Sequence, residues 1–162
     1  MNLPLALKSF PDLRSNPRAL RRLRTACERV KCNLSASSQT TIEIDALHEG
    51  LDLYSNITRD NFEALCADLF PAALEPVQRV ISDARKRVID ITDVILVGGC
   101  TRIPYITRML SNFFHGLELK RVVNADEAVA YGATIIGAML VGKQSEKLQE
   151  YVTLDVHSST LG

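Results

Sequence analysis

Two short stretches of the chain bring together residue types that could meet an anion or a nucleotide. The first is Glu28, Lys31, Cys32 and Ser35. At 100° per residue these fall within one sector of a helix about 100° wide, giving an edge with an acceptor, a cation, a thiol and a hydroxyl. The second is Gly98-Gly99-Cys100-Thr101-Arg102. The four branched residues Val94 to Val97 before it suit a buried strand, and Ile103-Pro104 after it opens a helix. Glycines let the backbone turn sharply and come close to a ligand, and the helix start offers a positive dipole end. Each signal has a bland counterpart. Glu28 and Lys31 are spaced for an ion pair, and a strand-Gly-Gly-helix turn also serves simply to reverse the chain. The sequence is neither GxGxxG nor GxxxxGK[ST], so the dinucleotide fingerprint and the P-loop are both excluded.

Other chemistry is sparse. Cys27, Cys32, Cys66 and Cys100 make no CxxC pair and no zinc-like spacing with His48, His115 or His157, which argues against a metal site or a disulfide frame. Cys100 could alternatively be a redox-reactive thiol beside positive charge. No catalytic dyad is visible. Asn33-Leu34-Ser35 and Asn56-Ile57-Thr58 match the glycosylation pattern, but with no secretory signal they read as chance matches.

The 162 residues suffice for about one domain, and 46% hydrophobic with 23% charged residues is ordinary for a globular protein. Net charge is zero but uneven: residues 1–34 hold eight Lys/Arg against Asp12 and Glu28. A basic start facing an acidic remainder either favours an anionic ligand or is a solvated helix face. No aromatics interleave Arg18 to Arg29, which argues against nucleic acid. No stretch is of membrane-spanning length, and the reading is a soluble, cytoplasmic chain without a membrane partner.

The elements that must position these residues follow from periodicity. Residues 1–15 are a lead-in. Asn16-Pro17 caps a helix whose buried stripe is Leu20, Leu23, Cys27, Val30 and Leu34. Alternation over Thr41–Ala46 and at Leu51 and Leu53, around Gly50, predicts a β-hairpin with Ile42, Ile44, Leu51 and Leu53 inward. Thr58 caps the next helix, with Phe62, Leu65, Cys66 and Leu69 buried, and after Pro71 an amphipathic pattern continues through Leu74, Val77, Val80, Ile81 and Ala84. The helix after Pro104 ends at Gly116, a short strand spans Leu119–Val123, and Asn124 to Glu127 forms a capping box. The helix beyond is rich in Ala and Gly (Gly132, Gly137), suited either to tight packing or to ligand contact. The tail YVTLDV, Tyr151 to Val156, is an edge strand or a linker.

Four stretches in this order, RRLRTACERVK (Arg21–Lys31), SNITRDNFEALCADLF (Ser55–Phe70), DVILVGGCTRIP (Asp93–Pro104) and NADEAVAYGA (Asn124–Ala133), closely resemble the C-terminal half of the ATPase domain of the Hsp70 chaperone family. The resemblance covers about Asp12 to Gly162. It implies an α/β chain with part of an actin-like (ribonuclease H-like) ATPase fold. Its expected divisions are a lead-in at 1–15, a helix and hairpin upper lobe at 16–90, a closing α/β part at 91–143 and an interdomain-linker-like tail at 144–162. It implies ATP or ADP contacts at Glu28, Lys31, Cys32, Ser35, Gly98, Gly99, Cys100, Arg102 and Asp126. The family usually has arginine, stacked on adenine, where Cys32 stands and serine where Cys100 stands, which would weaken nucleotide binding. The family's phosphate loop, catalytic lysine and magnesium-positioning aspartates belong to its N-terminal half. The chain alone is therefore expected to act as a truncated nucleotide-binding domain with little or no hydrolysis and no catalytic or metal residue of its own. The alternative is a non-enzymatic fragment that binds nucleotide-exchange factors or co-chaperones. Apolar surface left uncovered would favour self-association.

Overall fold

The computed structural model describes residues 12–143 together with Phe10 and Val152. The lead-in is described only from there on, and the YVTLDV strand or linker lies outside the described residues except for Val152. The chain divides into two compact units, one of Met1–Leu96 with Cys100–Lys120, the other of Val97–Gly99 with Arg121–Gly162.

In the first unit a 3-10 turn, Leu13–Ser15, leads into α1, Pro17–Ala36. Asn16 caps α1 as expected, its side chain accepting from the Ala19 N–H at 3.1 Å, with Pro17 in the first turn. The predicted stripe faces inward: Val30 and Leu34 are buried, and Leu20, Leu23 and Cys27 pack beside them. They lie on a hairpin, β1 (Gln39–His48) antiparallel to β2 (Leu51–Thr58). Ile42, Ile44, Leu47, Leu53 and Ile57 complete this core with Phe10, Leu13 and Ala19. Glu49 and Gly50 both have positive φ, as a tight hairpin turn requires.

Leu51 departs from its expected inward position and is exposed. The pairing runs in register from Gln39 opposite Thr58 to Ile44 opposite Leu53, then slips before His48 opposite Leu51. The slip is a bulge at Ala46, whose φ is +43°. Its N–H donates to Asp52 Oδ1 at 2.6 Å, and Arg22 donates to the carbonyls of Asp45 (2.6 Å) and Ala46 (2.8 Å). Asp45, Ala46 and Leu47 thus stand against Asp52 alone, and the two extra residues on β1 interrupt the ladder before the turn, which simple alternation cannot register.

Thr58 caps α2, Arg59–Leu65, through the Asn61 N–H at 3.2 Å. The helix is interrupted near Pro71, where the amphipathic pattern was expected to continue beyond the proline: a short α3 (Leu69–Ala72) contains Pro71, and α4 (Glu75–Asp83) follows. Leu65, Leu69 and Val80 are exposed, whereas Phe70 is buried. Phe70 stacks on Tyr105 with ring centroids 4.3 Å apart and meets Phe62 edge-on at 6.1 Å. Breaks on either side of α3 reset the helical phase, so the aromatic and not the leucines finds the interior.

β3, Val94–Ile95, pairs in parallel with β4, Leu119–Lys120. Both are shorter than expected, and Ile95 is exposed rather than covered on both faces. The Leu96 N–H donates to Lys120 O at 2.9 Å, and Lys120 pairs with Asp93. Between the strands runs α5, Pro104–Phe113, starting at proline as predicted and closed at Gly116, φ +84°.

In the second unit α6, Ala128–Leu140, follows Asn124. The expected capping box is displaced: Glu127 occupies the N-cap without a side-chain cap bond, while Asn124 Oδ1 accepts from the Asp126 N–H at 3.1 Å, closing a local turn. Among the described residues, a Cβ added to Gly132 or Gly137 would meet nothing within 4 Å, and Val129, Tyr131 and Leu140 are exposed. At Gly132 and Gly137 themselves, then, no described atom makes the close approach that tight packing would bring.

Candidate functional site

The edge of α1 is assembled as its spacing required. Lys31 Nζ lies 2.7 Å from Glu28 Oε1 across one turn, the ion pair anticipated as the plain reading of this spacing. Cys32 Sγ approaches the same carboxylate oxygen at 3.8 Å, and Ser35 Oγ donates to Lys31 O at 3.3 Å. Glu28 and Cys32 are exposed and Lys31 and Ser35 half-buried. The pair polarises both partners. The hydrogen bond from Lys31 chiefly holds the Glu28 carboxyl below its usual range, while the bond to Glu28 chiefly raises Lys31.

Arg59 fixes the far end of this edge, and sequence reasoning passed over it. Its guanidinium donates to Leu34 O at 2.7 Å and to Ser37 O at 3.0 Å, with a longer contact of 3.5 Å to Ser35 O. Its own N–H donates to Ser38 O at 2.8 Å. These bonds satisfy carbonyls that the end of a helix leaves without partners. The available signal was position: an arginine at the first residue of α2 opposes that helix's dipole, so its charge must serve another element.

The glycine turn continues as the 3-10 turn Gly99–Arg102. Within the first unit, the Ile103 N–H donates to Cys100 O at 3.1 Å and Thr107 Oγ1 to Thr101 O at 3.1 Å, fixing the turn to the start of α5. Cys100 and Arg102 are exposed. Within the second unit, Gly98 has φ +93° and its N–H donates to Ala125 O at 2.7 Å. A Cβ on Gly99 would stand 3.2 Å from Asp126 Oδ1. Gly98, Gly99 and Asp126 are thus brought together; the backbone at 98 favours glycine, and at 99 an added Cβ would press on the Asp126 carboxylate. Glu28, Lys31, Cys32 and Ser35 form the corresponding group in the first unit.

On another face of α1 an open depression of about 510 Å³ is lined by Arg18, Arg21, Arg29, Glu43 and Asp45 among others. Among the described residues no cluster of three or more His, Cys, Asp or Glu could hold a metal ion, and no helix is long and apolar enough to cross a membrane.

The sequence matches the family described as "Hsp70 protein" over residues 6–162. It is 49% identical over 155 residues to "Heat shock cognate 70 kDa protein 3" of Dictyostelium discoideum, covering 96% of this chain and 25% of that protein. It is 53% identical over 156 residues to "Heat shock 70 kDa protein" of Neurospora crassa, covering 96% and 24%. A third relative is "Heat shock 70 kDa protein" of Trichophyton rubrum, 52% identical over 156 residues, covering 96% and 24%. The chain spans about a quarter of the length of these relatives. Its helices and two small sheets fit part of the actin-like ATPase fold. With the match spanning nearly the whole chain, the protein belongs to the Hsp70 family.

Proposed function

We propose that this chain is part of an Hsp70 nucleotide-binding domain, corresponding to its C-terminal half, and that it contributes one wall of an adenine-nucleotide site for ATP-dependent chaperoning in the cytoplasm. Lys31 and Ser35 on α1 serve the nucleoside, with Glu28 orienting the lysine. Gly98, Gly99 and Arg102 serve the phosphates and the base, and Asp126 stands behind the glycines. What supports the reading is the polar edge of α1, where Lys31 Nζ is held 2.7 Å from Glu28 Oε1 with Ser35 one turn on, together with a glycine turn in which Gly99 lies close to Asp126. A cation, hydroxyls and a turn at a helix start are the groups an adenosine phosphate needs. Phosphoryl transfer requires metal and cations positioned around the leaving group, and the described residues assemble no such set. The chain alone therefore binds ADP or ATP weakly and turns over little or none.

Titration calorimetry with ADP tests this. Binding is expected, and it should weaken at least about tenfold in Lys31→Ala, the loss of a charge-assisted contact. No heat with ADP at millimolar protein and ligand would overturn it. The arginine-lined depression supports a second reading, a partner surface for nucleotide-exchange factors or co-chaperones with acidic contact residues. A complex with an exchange factor that is abolished by Arg21→Glu, without ADP binding, would favour this alternative.

A further inference from the structure

The tip of the β1–β2 hairpin meets the start of α1 through a pair of polar side chains that the nucleotide edge does not use. Asn16 Nδ2 lies 3.2 Å from His48 Nδ1, and the cap on its other side fixes the roles in this bond. Asn16 Oδ1 already accepts from the Ala19 N–H at 3.1 Å, so the face turned to His48 is the amide NH2, a donor. His48 Nδ1 must therefore accept, which puts the proton of the half-buried neutral ring on Nε2. That nitrogen is closed off from solvent and has no hydrogen-bond partner. A second proton finds no acceptor on this ring. On Nδ1 it would confront the amide hydrogens of Asn16, and it would make the unpaired Nε2–H part of a buried cation. The charged groups around the ring are Arg18 and Arg22 from α1 and Asp45 and Glu49 from β1 and its turn, all lining one open depression of about 540 Å³. On β2, Leu51 opposite His48 is apolar, and Asp52 is engaged by the Ala46 N–H. Cations and carboxylates in equal number, seen across water, largely offset one another, so the direct contacts decide.

We propose that His48 is a proton-operated latch: as a neutral ring it ties the hairpin tip to the cap of α1, and on taking a proton it lets the tip go. The contribution of the bond is present while the ring is neutral and is lost as the pH falls through the imidazole range. The bulge at Ala46, two residues away and held by Arg22, loosens with it. Arg18, Arg22 and Asp45 also line the larger arginine-lined depression, so the order of that face follows the proton on His48. The latch concerns the opposite end of α1 from Lys31 and Ser35 and stands independently of the nucleotide reading.

Urea unfolding of the whole chain at about pH 7.5 and about pH 5.5, either side of the ordinary imidazole value, tests this. The midpoint should fall on acidification, and it should fall less in His48→Gln, which keeps an acceptor but takes no proton. Asn16→Asp gives a test of opposite sign. Aspartate caps a helix as well as asparagine does, and its second oxygen accepts from a protonated ring, so this variant should gain on the unsubstituted chain as the pH falls. Hydrogen exchange of the unsubstituted chain needs no variant to fold. After correction for intrinsic rates, the amides of Ala19 and Ala46 should lose protection at the lower pH while those further along β1 keep theirs. An equal fall of the midpoint in the unsubstituted chain and His48→Gln would overturn the latch. So would an Asn16→Asp chain that responds to pH as the unsubstituted one does, or Ala19 and Ala46 amides equally protected at both pH values.

Discussion

The Glu28–Lys31 pair is a helix-surface contact on the proposed nucleotide edge, and its protonation behaviour follows from its geometry. The Glu28 carboxyl is depressed in the folded chain, first by the hydrogen bond from Lys31. The contribution of the carboxylate is therefore present above the unfolded-state pKa of glutamate and is lost as the pH falls through the lower folded-state value. Lys31 is raised, so its contribution is present below the ordinary lysine range and is lost only as the pH climbs through the raised value. The edge accordingly keeps its charge pattern across the neutral range. An NMR titration of the Glu28 carboxyl carbon should give a midpoint below that of an ordinary glutamate, returning toward it in Lys31→Ala. A second residue-scale prediction concerns Gly99. An added Cβ would stand 3.2 Å from Asp126 Oδ1, tighter than ordinary contact but against the movable end of a side chain. Gly99→Ala should leave the melting temperature nearly unchanged and weaken ADP binding, as measured by calorimetry.

Between elements, Arg59 is the tie that matters most to the site, since it holds the carbonyl end of α1 from the first residue of α2. Arg59→Ala leaves helix-end carbonyls without their charged donor and should cost about 2 kcal/mol, read from the denaturant midpoint. Arg59→Lys should recover only part of this, because a point charge cannot span several carbonyls as a planar fork does. The caps and the α1 stripe were legible in the sequence because they depend on residues within a turn of one another: Asn16 with Ala19, Thr58 with Asn61, Val30 with Leu34. The elements that escaped depend on partners far away in sequence. The bulge at Ala46 is held by Arg22, the interior position of Phe70 by Tyr105, and the end of α1 by Arg59. The site divides in the same way. The edge of α1 could be read from one helical repeat, whereas the approach of Gly99 to the Asp126 carboxylate depends on segments far apart in the chain.

At the scale of the whole molecule, the apolar surface is unevenly covered. Val129, Tyr131 and Leu140 on α6 are exposed at 74%, 62% and 83%, and Leu69 and Tyr54 elsewhere are also largely open. Surface of this kind on one helix seeks cover. Sedimentation velocity over a concentration series should therefore show self-association, with Val129→Lys and Leu140→Lys together raising the monomer fraction. A concentration-independent monomer would contradict this. The contrast between the two units has another consequence. The continuous core is built from residues between Phe10 and Ile57, where α1 lies on the hairpin, while α6 has no buried residue. Opening free energy should therefore be graded along the chain. In deuterated solvent the amides of β1 and β2 would be the last to exchange, and those of α6 would take up label while the hairpin is still dark.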